Sequence, residues 1–96
     1  EEGLVVVVAT INLGEKNILA GPDILSRGFV YMRESGELIS EAQRRVFRMI
    51  VNTFNANDKV TENQVREAII DGLQDFLFEK TERRPMILPM IIQRTE

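Results

Sequence analysis

Neither cysteine nor histidine occurs anywhere in the 96-residue chain. Their absence removes disulfides, thiolate nucleophiles, Ser-His and Cys-His pairs and every imidazole or thiolate ligand, so a zinc centre within this sequence lacks its usual donors. Long apolar runs are missing too. Leu4 to Ile11 and Met86 to Ile92 fall far short of the ~20 residues a spanning helix needs, and no basic, apolar, small-residue leader is present, so no membrane association is expected. Nor is there an excess of positive charge. Twelve Lys and Arg face fifteen Asp and Glu, for a net charge of −3 and a pI near 5.0, which offers no broad positive field to a phosphate backbone.

What is present suits one folded domain over residues 1–96. The chain is 44% hydrophobic and 28% charged, well away from the disordered corner of composition space. A chain of this size buries roughly 65% of the surface it exposes when unfolded. It opens on Glu1 rather than methionine, which reads as a piece cut from a longer chain.

Leu4 to Ile11, LVVVVATI, is dense in β-branched residues and predicts a strand. Alternation puts Val5, Val7, Ala9 and Ile11 on one side and Leu4, Val6 and Val8 on the other. Both sides are apolar, the mark of a central strand. Leu13 to Asn17 supplies a reversal, and Ile18-Leu19-Ala20 a second strand. Gly21-Pro22-Asp23 is expected to break that ladder, with Ile24 to Tyr31 extended or irregular.

From Leu38 to Phe54 the apolar residues recur at 38, 39, 42, 46, 49, 50 and 54, the spacing of one helical face. Phe47 and Val51 widen the apolar arc to about 220°, so one flank of this helix is expected to meet something besides its own sheet. Thr61 and Gln64 fit a capping box that opens a second helix from Glu62 to about Thr81. Val65, Ala68, Ile69, Gly72, Leu73 and Phe76 are its predicted inner face, with Gly72 placed for close approach of another backbone; Ile70 and Phe78 point elsewhere. Pro85 ends that helix, and Met86 to Ile92 forms the last strand, with Pro89 arguing for a sheet edge.

These elements predict an α+β domain of order β-β-α-α-β, a three-stranded mixed sheet with both helices on one face. With the first strand central, the last runs parallel to it. One apolar sheet face is then left without a partner inside the chain unless sheet twist and the Ile24 to Tyr31 segment wrap it. Val6 and Val8, together with Phe47, Val51 and Phe78, are the interface candidates.

Chemistry-bearing motifs are few. Arg27-Gly28-Phe29 opens like the strand motif of RNA-recognition domains, but Val30 replaces its small residue and Glu34 its aromatic. The plainer reading has Phe29 and Tyr31 anchoring the link into the first helix, with Arg27 beside them as a donor. Lys80, Arg83 and Arg84, with Arg44, Arg45 and Arg48, make either a local phosphate-contacting patch or a solvated, ion-paired face. Asp71 and Asp75 lie one turn apart without ligands or a nucleophile nearby, which does not support acid–base catalysis. No glycine-rich phosphate loop is present. The segment has no catalytic and no metal-binding residues of its own.

The strings GPDILSRGFVYMRES, from Gly21 to Ser35, and FLFEKTERRPMILPMI, from Phe76 to Ile91, resemble the C-terminal domain of ribonuclease J, in the metallo-β-lactamase and β-CASP family of bacterial RNA-processing enzymes. The likeness extends over essentially all 96 residues, although the family usually has tyrosine where this chain has Phe78. The resemblance implies a cytoplasmic parent enzyme that hydrolyses RNA with two zinc ions, from the 5′ end and internally, in mRNA turnover and rRNA maturation. It also implies that the zinc ligands lie in an upstream β-lactamase domain, and that this segment is a non-catalytic accessory domain. Its partners would be the upstream β-lactamase and β-CASP domains, a second copy in a homodimer, and RNA through the parent. The competing reading is an RNA-contacting module that guides substrate through Arg27, Lys80, Arg83 and Arg84.

Overall fold

A computed structural model describes residues 2–29 and 36–95. Tyr31 and Glu34, weighed above as an anchor and a motif position, lie outside the described residues. The chain runs β1 (Leu4–Asn12), β2 (Asn17–Arg27), α1 (Gly36–Ala56), α2 (Glu62–Thr81) and β3 (Met86–Gln93). The sheet order is β2-β1-β3, with β1 antiparallel to β2 and parallel to β3. The fold is therefore the expected α+β arrangement, with β1 central and the mixed sheet covered by two helices on one face.

The two faces of β1 divide as its alternation predicts. Val5, Val7, Ala9 and Ile11 are buried beneath the helices, joined by Ile24 from β2 and Ile87 from β3. From α1 the core takes Ala42, Val46, Ile50 and Phe54, one residue per turn, and from α2 it takes Val65, Ile69, Leu73, Phe76 and Leu77. Leu77 was not among the predicted inner-face residues, yet it follows Leu73 by four and so extends the same stripe. The first helix packs over β2 and the second over β3.

Helix α2 starts on the predicted capping box: Gln64 N–H donates to Thr61 Oγ1 at 3.1 Å, and Thr61 N–H to Gln64 Oε1 at 3.0 Å. Val60 before the cap and Val65 after it are both buried in the core, the two ends of a hydrophobic staple. At the other end Glu82 closes the helix in a left-handed conformation, its N–H donating to Phe78 O at 2.8 Å.

Ile70, expected to point away from the inner face, is partly buried against the core, and two further expectations need correction. Gly21-Pro22-Asp23 does not end the second strand, which continues to Arg27. The register shifts between Val8↔Asp23 and Thr10↔Ala20, so the glycine and the cis-bonded proline bulge out of the ladder rather than break it. A bulge of this kind is tolerated because β2 is an edge strand, where the missing donor has no neighbour to serve. Gly72, for its part, does not admit another backbone: a Cβ there would lie 2.6 Å from Met49 Sδ, so its missing side chain makes room for a methionine across the helix pair.

At the bulge the requirement for glycine is strict. Gly21 has φ +82°, and a Cβ would come within 2.6 Å of Val8 O. Gly21→Ala should cost at least about 1–2 kcal/mol from the backbone conformation alone, at ~4–8 °C in Tm per kcal/mol for a domain of this size. A variant that melts with the parent in a thermal scan would show that the bulge adapts.

A second tie joins the start of α2 to the end of β3. Glu62 accepts hydrogen bonds from Gln93 Nε2 at 2.7 Å and Arg66 Nη2 at 2.8 Å, and the bond from Gln93, then that from Arg66, hold its carboxyl below the ordinary value of 4.5. With the native pKa depressed, the unfolded chain binds the proton more readily, so this stability is present above pH 4.5 and drains away as pH falls through the lower native value. In acid titrations followed by circular dichroism, Glu62→Gln should lose less stability than the parent over that window. Parallel acid-unfolding curves for the two proteins would refute this account.

Candidate functional surfaces

Three surfaces carry the residues singled out from sequence, and they face different ways. The first is the sheet face opposite the helices. By register it presents Leu25 on β2, Leu4, Val6 and Val8 on β1, and Met86, Leu88, Met90 and Ile92 on β3. Leu25 is 61% and Met86 65% exposed. Ile24 to Arg27 belong to β2 itself; Leu25 and Arg27 stand on this face, whereas Ile24 and, just beyond the strand, Phe29 are buried in the core. Val6 and Val8, on the central strand, are half-buried by their neighbours and form its middle. Asp23 and Arg27 stand on the same face as Leu25, two residues to either side.

The second surface lies on the helix side. A groove of about 550 Å³ runs between the β2 bulge and α1, lined by Pro22, Phe47 and Val51 with Arg44 and Arg48 at its side. Its walls are tied together, because Gln43 Nε2 donates to Pro22 O at 3.2 Å. Phe47 is 47% exposed, so among the described residues the widened apolar arc of α1 meets an open groove and not a covering element. Across the two arginines lies a polar hollow of about 360 Å³ bounded by Glu41 and Arg45, where Arg45 Nη2 pairs with Glu41 at 3.2 Å.

The third surface is at the end of α2, and here the basic cluster divides. Arg45 lies over the Phe76 ring at 4.8 Å and Lys80 over the same ring at 6.0 Å; this brings one cation from each helix to one aromatic, a convergence the linear spacing does not reveal. Arg84 instead covers Phe78, 4.0 Å from its centroid, beside Gln74 and Asp75, and its backbone N–H donates to the Glu2 carboxylate. Arg83 sits at the helix cap, its N–H donating to Thr81 Oγ1 at 3.1 Å. The interface candidates are scattered as well: Val6 and Val8 on the open sheet face, Phe47 and Val51 on the flank of α1, Phe78 under Arg84. Asp71 and Asp75 are exposed on α2. Pro22 and Gln43, which shape the groove, were missed because nothing in the sequence shows that the Gly21-Pro22 step bulges toward the helix.

Among the described residues no three His, Cys, Asp or Glu side chains gather as a metal site, and no helix is long and apolar enough to cross a membrane. A bimetal zinc centre does not fit the donors this chain carries.

A two-layer α+β domain with an exposed apolar sheet face and a groove beside its first helix is the class that this geometry defines. The family profile described as the ribonuclease J C-terminal domain matches residues 1–94, and the chain belongs to that family. It is similar to ribonuclease J 1 of Streptococcus pyogenes, 51% identical over 92 residues that cover 96% of this chain and 16% of that protein. Ribonuclease J2 of Bacillus subtilis is 41% identical over 93 residues, 97% of this chain and 17% of the relative; ribonuclease J 2 of Staphylococcus epidermidis is 42% identical over 91 residues, 95% and 16%. The chain thus spans about a sixth of the length of these relatives.

The two aromatic stacks at this end should differ sharply in energy. Phe76 is 3% exposed and Phe78 40%. Phe76→Ala should cost about 3–5 kcal/mol, while Phe78→Ala should cost about 1 kcal/mol or less, the scale of an exposed cation–π contact. Urea titrations decide this, and comparable losses at the two sites would contradict the assignment of Phe76 to the core.

Proposed function

We propose that this chain is the non-catalytic assembly domain of a zinc-dependent bacterial ribonuclease, holding two parent chains together through the open face of its sheet. The observation that carries this reading is the continuous apolar face centred on Val6 and Val8, with large exposed side chains on both neighbouring strands. Monomers seldom leave more than ~300–600 Å² of contiguous apolar surface without a use for it. The catalytic zinc, and cleavage of RNA in mRNA turnover and rRNA maturation, belong in this reading to upstream β-lactamase and β-CASP domains of a cytoplasmic parent.

A second copy suits this face in charge as well as in polarity. Asp23, Leu25 and Arg27 form one column on β2. A two-fold axis through Leu25 sets each Asp23 opposite the partner's Arg27, the self-complementarity an isologous interface requires. The alternative, substrate guidance by Arg27, Lys80, Arg83 and Arg84, has less support, because Lys80 and Arg84 already cover the chain's own aromatics.

Replacing Val6 and Val8 together with threonine should lower the mass in solution toward the monomer, by light scattering on this chain and on the longer protein, with the helical signal kept. Asp23→Arg or Arg27→Asp alone should also weaken association, and the double swap should restore it. If all variants keep the parent's mass and only melt earlier, the face is core-like packing and the interface lies elsewhere.

A further inference from the structure

The groove beside α1 lies across the sheet from the face assigned to self-association, and its chemistry is different. We propose that it docks an acidic amphipathic helix from a partner protein. Three features make the site. Pro22, Phe47 and Val51 give an apolar floor in a groove of about 550 Å³, within the range of preformed ligand clefts. Gln43 ties α1 to the bulge through Pro22 O at 3.2 Å, which joins the two walls. Arg44 and Arg48, one helical turn apart, line its side. Among the described residues neither arginine makes an ion pair or hydrogen bond, while Glu41, which lines the adjoining hollow with them, is already held by Arg45 at 3.2 Å.

Each feature constrains the occupant. An apolar floor with two cations one turn apart matches a helix whose aliphatic side chains recur at i, i+3/i+4 and i+7 and whose carboxylates stand one turn apart on the adjoining flank. The carboxylates then bridge to Arg44 and Arg48, and bidentate contacts fix the register. A single-stranded nucleic acid would also find a ring and two cations here. Its bases, however, would bury polar edges against Pro22, Phe47 and Val51, where one amide N–H of Gln43 is already spent on Pro22 O. Unpaired polar groups are costly to bury, so the lining favours a peptide.

The test uses this chain immobilised and panned with random peptides displayed on phage. Enriched peptides should combine aliphatic residues at helical spacing with Asp or Glu. Measured by fluorescence anisotropy, they should lose at least about tenfold in affinity on Phe47→Ser. The paired change Arg44→Glu and Arg48→Glu, made on exposed positions that the fold does not need, should select basic peptides instead. Short oligouridine should not compete. Val6→Thr with Val8→Thr should leave peptide binding unchanged, and Phe47→Ser should leave the mass unchanged, which separates this site from the self-association face. The proposal is overturned by no enrichment, by enriched peptides that are basic or uncharged, by equal binding to the Phe47→Ser variant, or by displacement with oligouridine.

Discussion

Everything in this domain hangs on the burial of one strand. β1 is paired along both edges and covered by both helices on one face, so that Val5, Val7, Ala9 and Ile11 are almost wholly removed from solvent. Four β-branched or small side chains at period two are what a pair of helices needs underneath them, and neither helix has enough apolar surface to be stable alone in water. α1 leans on β2 and α2 on β3, so each helix depends on a different edge strand being in register with the same centre. The bulge at Gly21 and the tie from Gln93 to Glu62 act on those two edges.

Much of this was readable in the chain. The run from Leu4 to Ile11 is apolar on both faces, and only a central strand needs that. Residues 42, 46, 50 and 54 announce α1 and 65, 69, 73 and 76 announce α2, because a 3.6-residue period has no other use. The capping box at Thr61 is a local motif whose hydrogen bonds close within four residues. What could not be read depends on distant contacts. Whether Pro22 breaks or bulges a ladder is decided by its being on an edge next to Val8, and what fills the space over Gly72 is decided by Met49 on another helix. The basic residues show the same limit: Lys80 and Arg84 are near in sequence, but Lys80 in the last turn of α2 reaches Phe76, while Arg84, past the helix cap, covers Phe78.

Single-sided cover explains why the molecule offers two apolar surfaces of unlike character. Two helices on a three-stranded sheet leave the far face bare, broad and nearly free of charge except for Asp23 and Arg27. The groove is narrower and exists because α1 is wider in its apolar arc than β2 can fill. One surface is broad and carries Asp23 and Arg27 either side of Leu25, the other is concave and cationic at its side, and they stand on opposite sides of the sheet. Because they lie on opposite sides of one sheet, covering either surface leaves the other open to solvent.

The parallel pairing of the first and last strands also has a mechanical meaning. Met86 N–H meets Gly3 O at one end of the sheet and Arg94 N–H meets Ile11 O at the other, so the strand that opens the fold and the strand that closes it lie side by side and point the same way. Tension applied between the start of β1 and the end of β3 therefore loads their whole hydrogen-bond ladder in shear, all rungs together, instead of peeling it one rung at a time. Such an arrangement behaves as a clasp, compliant to bending across the sheet and stiff along it.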